Sequence, residues 1–339
     1  MLYGITAATA ALLLAAVLAA LLRSPARRLG VVDRRRQRPL PLFGGVAVTV
    51  ATCAVAAVGD WTGVAPLGTG IGQLLGVGAA VAALGLAADV WRLKTRFLVV
   101  GTAVAAACVV PYAETGVAAG LPAVGWIVCV TVAFKGLDHA DGLVGTVGVV
   151  TAFGAGACAA AEVMDGLAVL LSVLAAALTG FLMHNWHPAR VGLGACGSLF
   201  TGFVLASAAV QVRAGYGFGS SVGVLFALTA VAGADAVLVV AARRIAGRPL
   251  LRRGPDHLGH RLRRLGLTPQ GATVVLGAAA FPAVLVGVLV HTGWLGAQAA
   301  LWVALVVLIA LWGVLRFPVN GSRRPASTQV RAQLRVRNG

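Results

Sequence analysis

The chain is divided into eleven apolar runs, near residues 2–22, 42–59, 68–87, 97–113, 121–134, 143–161, 166–183, 196–212, 218–242, 271–291 and 294–315, separated by charges, prolines and glycines. Runs of this kind have few places to go. About 20 apolar residues in a helix cross the hydrocarbon of a bilayer, and outside a closed barrel only a helix satisfies its own backbone N–H and C=O groups there. The expected fold is an all-α polytopic membrane bundle of about eleven transmembrane helices. A soluble globule is excluded: with 59% hydrophobic and 11% charged residues there is too little polar surface to cover one. The run at 121–134 is short for a span and must borrow polar-edge residues or tilt little. The 45 glycines read mostly as sites of close helix contact.

Charge orients the bundle. No basic residue precedes the first run, whereas Arg23, Arg27 and Arg28 follow it, so the run is expected to remain as a helix with its N-terminus outside. Eleven spans then put the loops 23–41, 88–96, 135–142, 184–195 and 243–270 and the tail from Arg316 on one side, with 26 of the 27 Lys and Arg; Arg213 is left on the other. That asymmetry implies a multi-pass protein of the cell (plasma) membrane with a cytoplasmic C-terminus. Residues 1–317 form one integral membrane domain, and residues 318–339, rich in Arg, Ser, Pro and Gln, a disordered basic cytoplasmic tail. The net charge of +17 therefore belongs to one face, suited to anionic membrane lipid or phosphorylated substrates; nucleic-acid binding would want a soluble basic domain. Cys53, Cys108, Cys129, Cys158 and Cys196 are odd in number and scattered, and imply no disulfide framework.

The polar segments between the runs carry the chemistry. Phe134 to Gly145 packs Lys135, Asp138, His139 and Asp141 between two apolar runs. Ionisable groups at the edge of a membrane helix are costly unless solvated, paired or ion-bound, so this stretch reads either as an ordinary polar loop or as a site. Val32 to Gly45 joins a polybasic segment to Pro39-Leu40-Pro41 and Gly44-Gly45. Gly85 to Arg96 sets Asp89 among Arg92, Lys94 and Arg96, which alone would be a salt-bridged loop. Phe181 to Ser198 ends in a glycine-rich turn, Gly194 to Ser198, whose backbone N–H groups and hydroxyl suit a phosphate. In the longest basic loop, Arg243 to Leu262, the i, i+3 spacing lets His257 and His260 share a helix face and touch one ligand or else lie solvated, and Asp235 lies within the apolar run upstream, where a buried carboxylate needs a partner such as an arginine or a metal-bound phosphate.

In this order, over residues 30–270, these segments resemble the polyprenyl-phosphate N-acetylhexosamine-1-phosphate transferases, the membrane family that includes phospho-N-acetylmuramoyl-pentapeptide transferase and the undecaprenyl-phosphate GlcNAc-1-phosphate transferases. Arg34 to Gly45 is similar to the family's Arg-rich, Pro-x-Pro, Gly-Gly segment, and Gly85 to Asp89 to its Gly-Leu-x-Asp-Asp. Lys135 to Gly145 resembles Asn-x-x-Asn-x-x-Asp-Gly-x-x-Gly, and Asn185 to Ser198 resembles Asn-x-x-Pro-Ala…Gly-Asp-x-Gly-Ser. Asp235 falls where the family has an Asp before a basic loop, and His257 to Leu262 is similar to His-x-His-His-x-Leu. The departures are Ala88 for the first Asp of the pair, Lys135 and Asp138 for the two Asn, Ala195 for a metal-ligand Asp, and Gly259 for the middle His.

The resemblance implies a membrane phosphoglycosyl transferase that moves a sugar-1-phosphate from a UDP-sugar to a polyprenyl phosphate on the cytoplasmic face, for cell-wall or surface polysaccharide synthesis. It implies Mg²⁺ as cofactor, held by Asp89, Asp138 and Asp141, with Asp138 standing in for the carboxylate missing at position 195. Asp89, Asp141 and Lys135 would be catalytic, Lys135 supplying cationic stabilisation. Asn185, Gly194, Gly197, Ser198, Asp235, His257, His260 and Arg261 would meet the substrates, and a homodimer is compatible with the same resemblance. A second reading is a catalytically inactive relative that binds lipid phosphate or nucleotide sugar. A transporter is a third, disfavoured because its polar residues would lie near the midplane rather than at one face.

Overall fold

The computed structural model describes residues 2–33, 39–247, 254 and 256–316. The expectations for Arg34 to Arg38, for the arginines at 248, 252 and 253, and for the tail 318–339 lie outside the described residues.

The architecture is an all-α membrane bundle. Helix α1 (Leu2–Leu21) leads through a short α2 (Arg23–Arg28) to a two-stranded antiparallel hairpin, β1 (Val32–Asp33) with β2 (Leu40–Pro41), in which Val32 pairs with Pro41 and Asp33 with Leu40. The chain then forms α3 (Gly44–Trp61), α4 (Gly68–Trp91), α5 (Thr95–Val109), α6 (Tyr112–Leu137), α7 (Leu143–Ala161), α8 (Asp165–Asn185) and α9 (Gly194–Val212). The last elements are α10 (Phe218–Leu228), α11 (Ala230–Ile245), α12 (Leu258–Arg264), α13 (Pro269–His291) and α14 (Ala299–Arg316). Among the described residues nine helices are long and apolar enough to cross a membrane, or ten if α10 and α11 together make one bent span; α5 is shorter.

Each apolar run became helix, but two differ from the expected outline. The run at 121–134, the shortest, is the C-terminal part of α6, which begins at Tyr112 and contains both Pro122 and a non-helical Gly116. The run at 218–242 is two helices that meet at Thr229 with a bend of 87°. The hydroxyls there bond backbone carbonyls: Thr229 donates to Leu225 O at 2.8 Å, and Thr151 of α7 donates to Leu228 O at 3.2 Å. A break inside an apolar segment survives where neighbouring hydroxyls satisfy the polar groups it frees.

Helix α9 is the centre, buried along nearly its whole length and packed by α3, α4, α6 and α7. Its first turn lies directly on α3: a Cβ at Gly45 would collide with Gly197 N, and one at Gly197 would lie 2.5 Å from Gly45 Cα. Glycine at both positions is what allows the backbones to meet, since lipid supplies no hydrophobic drive and packing must hold the helices together. The segment before α3 is stitched to the segment before α9 by Gly192 N to Pro41 O, Gly44 N to Gly192 O and Gly45 N to Leu193 O, at 2.7, 3.1 and 2.9 Å.

At the opposite end, Arg213 is buried just past α9. It donates to Ser220 Oγ at 2.8 Å, lies 3.1 Å from His291 Nδ1, and sits 3.8 Å from the Tyr216 ring centroid. Glu162 receives Tyr216 Oη and stands 3.2 Å from His291 Nε2. The one cation that charge counting left on that side is thus built into a network and not displayed.

Candidate active site

Five polar segments meet at one end of the bundle, each fixed by bonds that cross long stretches of sequence. Asp89, near the C-terminal end of α4, accepts Ala195 N at 3.0 Å on one oxygen and Cys196 N at 3.1 Å on the other. The N-terminus of α9 therefore already holds an anion, favoured by the helix dipole and by two otherwise orphaned N–H groups. Gly194, at φ 73°, starts this turn, and a Cβ there would lie 2.6 Å from Asp89 Oδ2. The Gly194 to Ser198 turn expected to meet a phosphate is thus occupied by Asp89, while Ser198 is buried and donates to Gly194 O at 2.7 Å. Ala88 and Ala195, which stand where the family pattern has carboxylates, are both buried among apolar residues.

The turn between α6 and α7 is anchored to the segment between α8 and α9. Asp141 Oδ2 accepts Ala189 N at 3.1 Å and lies 2.8 Å from His187 Nδ1; the Asp141 carbonyl accepts Thr273 Oγ1 at 2.9 Å. Asn185 is a strut, its Oδ1 accepting Gly142 N at 2.8 Å and its Nδ2 donating to Val191 O at 2.7 Å. Lys135 is in the last turn of α6 and Asp138 is its C-terminal cap residue. Sequence reasoning did not single out His187, which holds Asp141 in place; its only sequence signal is an imidazole two residues past Asn185.

Asp235 is 1% exposed and has the partner that a buried carboxylate needs, in the imidazole of His257. Its Oδ2 lies 2.7 Å from His257 Nδ1 and its Oδ1 accepts Leu258 N at 2.7 Å, so one buried carboxylate positions the start of α12. Arg261 is buried and donates from Nη1 to Val314 O at 3.0 Å, joining α12 to α14; burial lowers its pKa from the usual arginine value. His260 lines an open cleft of about 430 Å³ together with Arg263, Arg264, Leu267 and Pro269, and burial, followed by His257 and the two arginines, lowers its pKa.

His139, noticed in the sequence but given no role, lies at the meeting point. Its ring stacks on His257 at 4.5 Å between centroids and stands 4.8 Å from that of His260. Burial pushes its pKa down to about 4, so the ring is neutral at physiological pH. Among the described residues, His139, Asp235 and His257 make up the group of three whose donor atoms lie within 4.8 Å of one another; Asp89, Asp138 and Asp141 do not form such a group.

Residues 71–213 match the sequence profile described as glycosyl transferase family 4. A Streptomyces coelicolor protein named as a glycosyltransferase is 68% identical, over 95% of this chain and 80% of its own. A Bacillus subtilis protein named as an undecaprenyl-phosphate N-acetylglucosaminyl 1-phosphate transferase is 26% identical over 78% of each chain. The decaprenyl-phosphate N-acetylglucosaminephosphotransferase of Mycolicibacterium smegmatis is 26% identical over 74% of this chain and 72% of its own.

Proposed function

This chain belongs to glycosyl transferase family 4, and from that membership we propose that it is a membrane transferase moving a sugar-1-phosphate from a UDP-sugar onto a polyprenyl phosphate. In the reaction a phosphate oxygen of the lipid attacks the β-phosphorus of the UDP-sugar. The bond from that phosphorus to the bridging oxygen breaks, UMP leaves with its electron pair, and a lipid diphosphate sugar forms. Attacker and target are both anions, so the protein's part is to align them and to offset their charge. The observation that supports this reading is the lacing of the polar segments into one face: Asp89 to α9, Asp141 to His187 and Ala189, and Asp235 to His257.

Within that face Lys135, Arg263 and Arg264 supply positive charge for phosphate oxygens, and His260 borders the cleft that the two arginines line. The carboxylates at Asp89, Asp138 and Asp141 are the oxygen donors that Mg²⁺ takes, and the ion when bound would draw charge from the diphosphate. Because the three are not drawn into one set, Mg²⁺ would rely on one or two of them together with substrate oxygens. The face carrying the reaction would be cytoplasmic, by the charge asymmetry of the loops.

The test is a transfer assay with the purified protein, a panel of radiolabelled UDP-sugars, polyprenyl phosphate and Mg²⁺. Release of UMP with label in a lipid product, lost in Asp141→Asn, is expected. Binding of UDP-sugar with no UMP across the panel would overturn the transferase reading and leave a binding protein.

A further inference from the structure

His139 Nδ1 lies 2.9 Å from Gly136 O. A carbonyl can only accept, so Nδ1 carries the hydrogen and Nε2 presents a lone pair. That Nε2 is enclosed, yet has no hydrogen-bond partner. Native structures rarely leave a buried polar atom unmatched, and such an atom points to a missing ligand.

The surroundings say what kind. His257 is stacked on His139, and its Nδ1 lies 2.7 Å from Asp235 Oδ2, so a cation that replaces the hydrogen between them would take that nitrogen and that oxygen together, with the ring's hydrogen moved to Nε2. An anion here would meet the buried carboxylate of Asp235. Magnesium prefers an all-oxygen shell. Two imidazole nitrogens and a carboxylate oxygen are instead the donor set of a first-row divalent transition ion. The outer contacts fit as well: the Gly136 carbonyl orients His139, and Leu258 N–H orients Asp235, as second-shell partners orient metal ligands. Donors now within 4.8 Å of one another, with His257 Nδ1 and Asp235 Oδ2 already 2.7 Å apart, would settle near about 3.3 Å around a tetrahedral zinc with bonds near 2.0–2.1 Å, a change that side-chain rotation can make.

Position 259 shows why the site can exist in this chain. A Cβ on Gly259 would lie 2.7 Å from His139 Nε2, so any side chain there and the His139 ring compete for one space. Where the family pattern carries a histidine at that position, this chain has a glycine, and an imidazole reaches the space from the turn after α6.

We propose that His139, Asp235 and His257 bind one divalent first-row transition ion, with zinc as the reference case, which fastens the α6–α7 turn, α11 and the entry to α12 together. The inference does not depend on the transfer reaction, and its test reads metal and not turnover. Full-length, tag-free protein is stripped with chelator, desalted in detergent, and titrated with Zn²⁺ and with Co²⁺, following bound metal by mass spectrometry and the visible d–d bands of cobalt. About one equivalent should bind, with bands of a nitrogen–oxygen site and a raised melting temperature. His139→Ala should abolish the bands. Gly259→Ala, which disturbs only the tip of His139, should weaken binding at least tenfold while the metal-free protein remains monodisperse. Wild-type protein that shows no cobalt bands and no bound zinc would overturn the proposal, as would binding unchanged in both variants. Equal stabilisation by Mg²⁺ would also overturn it by assigning the effect to an oxygen site.

Discussion

Asp89 Oδ1 accepts the backbone N–H of Ala195 across 106 residues of sequence, at 3.0 Å, so the carboxylate that the family pattern would give to a metal also caps the central helix. Asp89→Ala should leave the N–H groups of Ala195 and Cys196 without their acceptor and lower stability by roughly 1–3 kcal/mol. Asp89→Asn, which keeps one acceptor oxygen, should lose less. Thermal unfolding of the purified variants in detergent checks this; equal melting temperatures for wild type and Asp89→Ala would show that the cap contributes nothing.

His187 lies 2.8 Å from Asp141 and is half-exposed, so it can be removed without opening the core. If Asp141 acts in the reaction, its orientation matters, and His187→Ala should slow transfer by about 10–100-fold, the usual cost of losing a group that orients a reacting or ligating residue. The KM for UDP-sugar should change less than kcat. A variant with wild-type kcat would place His187 outside the site, while Asp141→Asn in the same assay separates the two roles.

The helices were legible because lipid imposes a rule on every backbone group, and each of the eleven apolar runs folded as helix, although among the described residues only nine or ten are long and apolar enough to span. The bend at Thr229 was not, since no proline or glycine marks that junction and the hydroxyl of Thr151 that bonds Leu228 O comes from another helix. The start of α6 was hidden because the stretch before residue 121 carries Glu114 and two glycines, and the helix does leave helical geometry at Gly116 before it continues to Leu137. In the site, each carboxylate was recognisable by its segment, but not its partner, because Asp89 with Ala195, Asp141 with His187 and Asp235 with His257 pair across elements whose spacing encodes nothing about contact. Gly259 read as a lost histidine; read together with the gained imidazole at His139, it would have signalled an exchange.

The same contacts say which loops share one end of the bundle, and that grouping can be tested for its side. The loops around Arg96, Arg190 and Arg264 belong to the end of the bundle where Asp89, Asp141 and His257 are fixed, whereas Gly215 follows the buried Arg213 at the other end. Reporter fusions after Arg96, Arg190 and Arg264 should all report the cytoplasm and one after Gly215 the opposite compartment. Any one of the first three found with Gly215 would break the topology.

Ala195 offers the sharpest handle on magnesium. Its backbone N–H lies against Asp89 and its side chain is 5% exposed, so Ala195→Asp would place a second carboxylate beside the first at the start of α9. Two carboxylates that close repel, and one must either take up a proton or share a cation. Without divalent ions the variant should melt below wild type. With Mg²⁺ at about 100 times its dissociation constant it should regain up to about 2.7 kcal/mol, a magnesium-dependent rise that wild type shows only weakly. The further change Ala88→Asp should enlarge that rise, since an oxygen-rich site gains from each added carboxylate. Melting curves for the three proteins, with and without Mg²⁺, decide the matter: a response identical in all of them would mean that the surroundings of Asp89 are not where the ion binds.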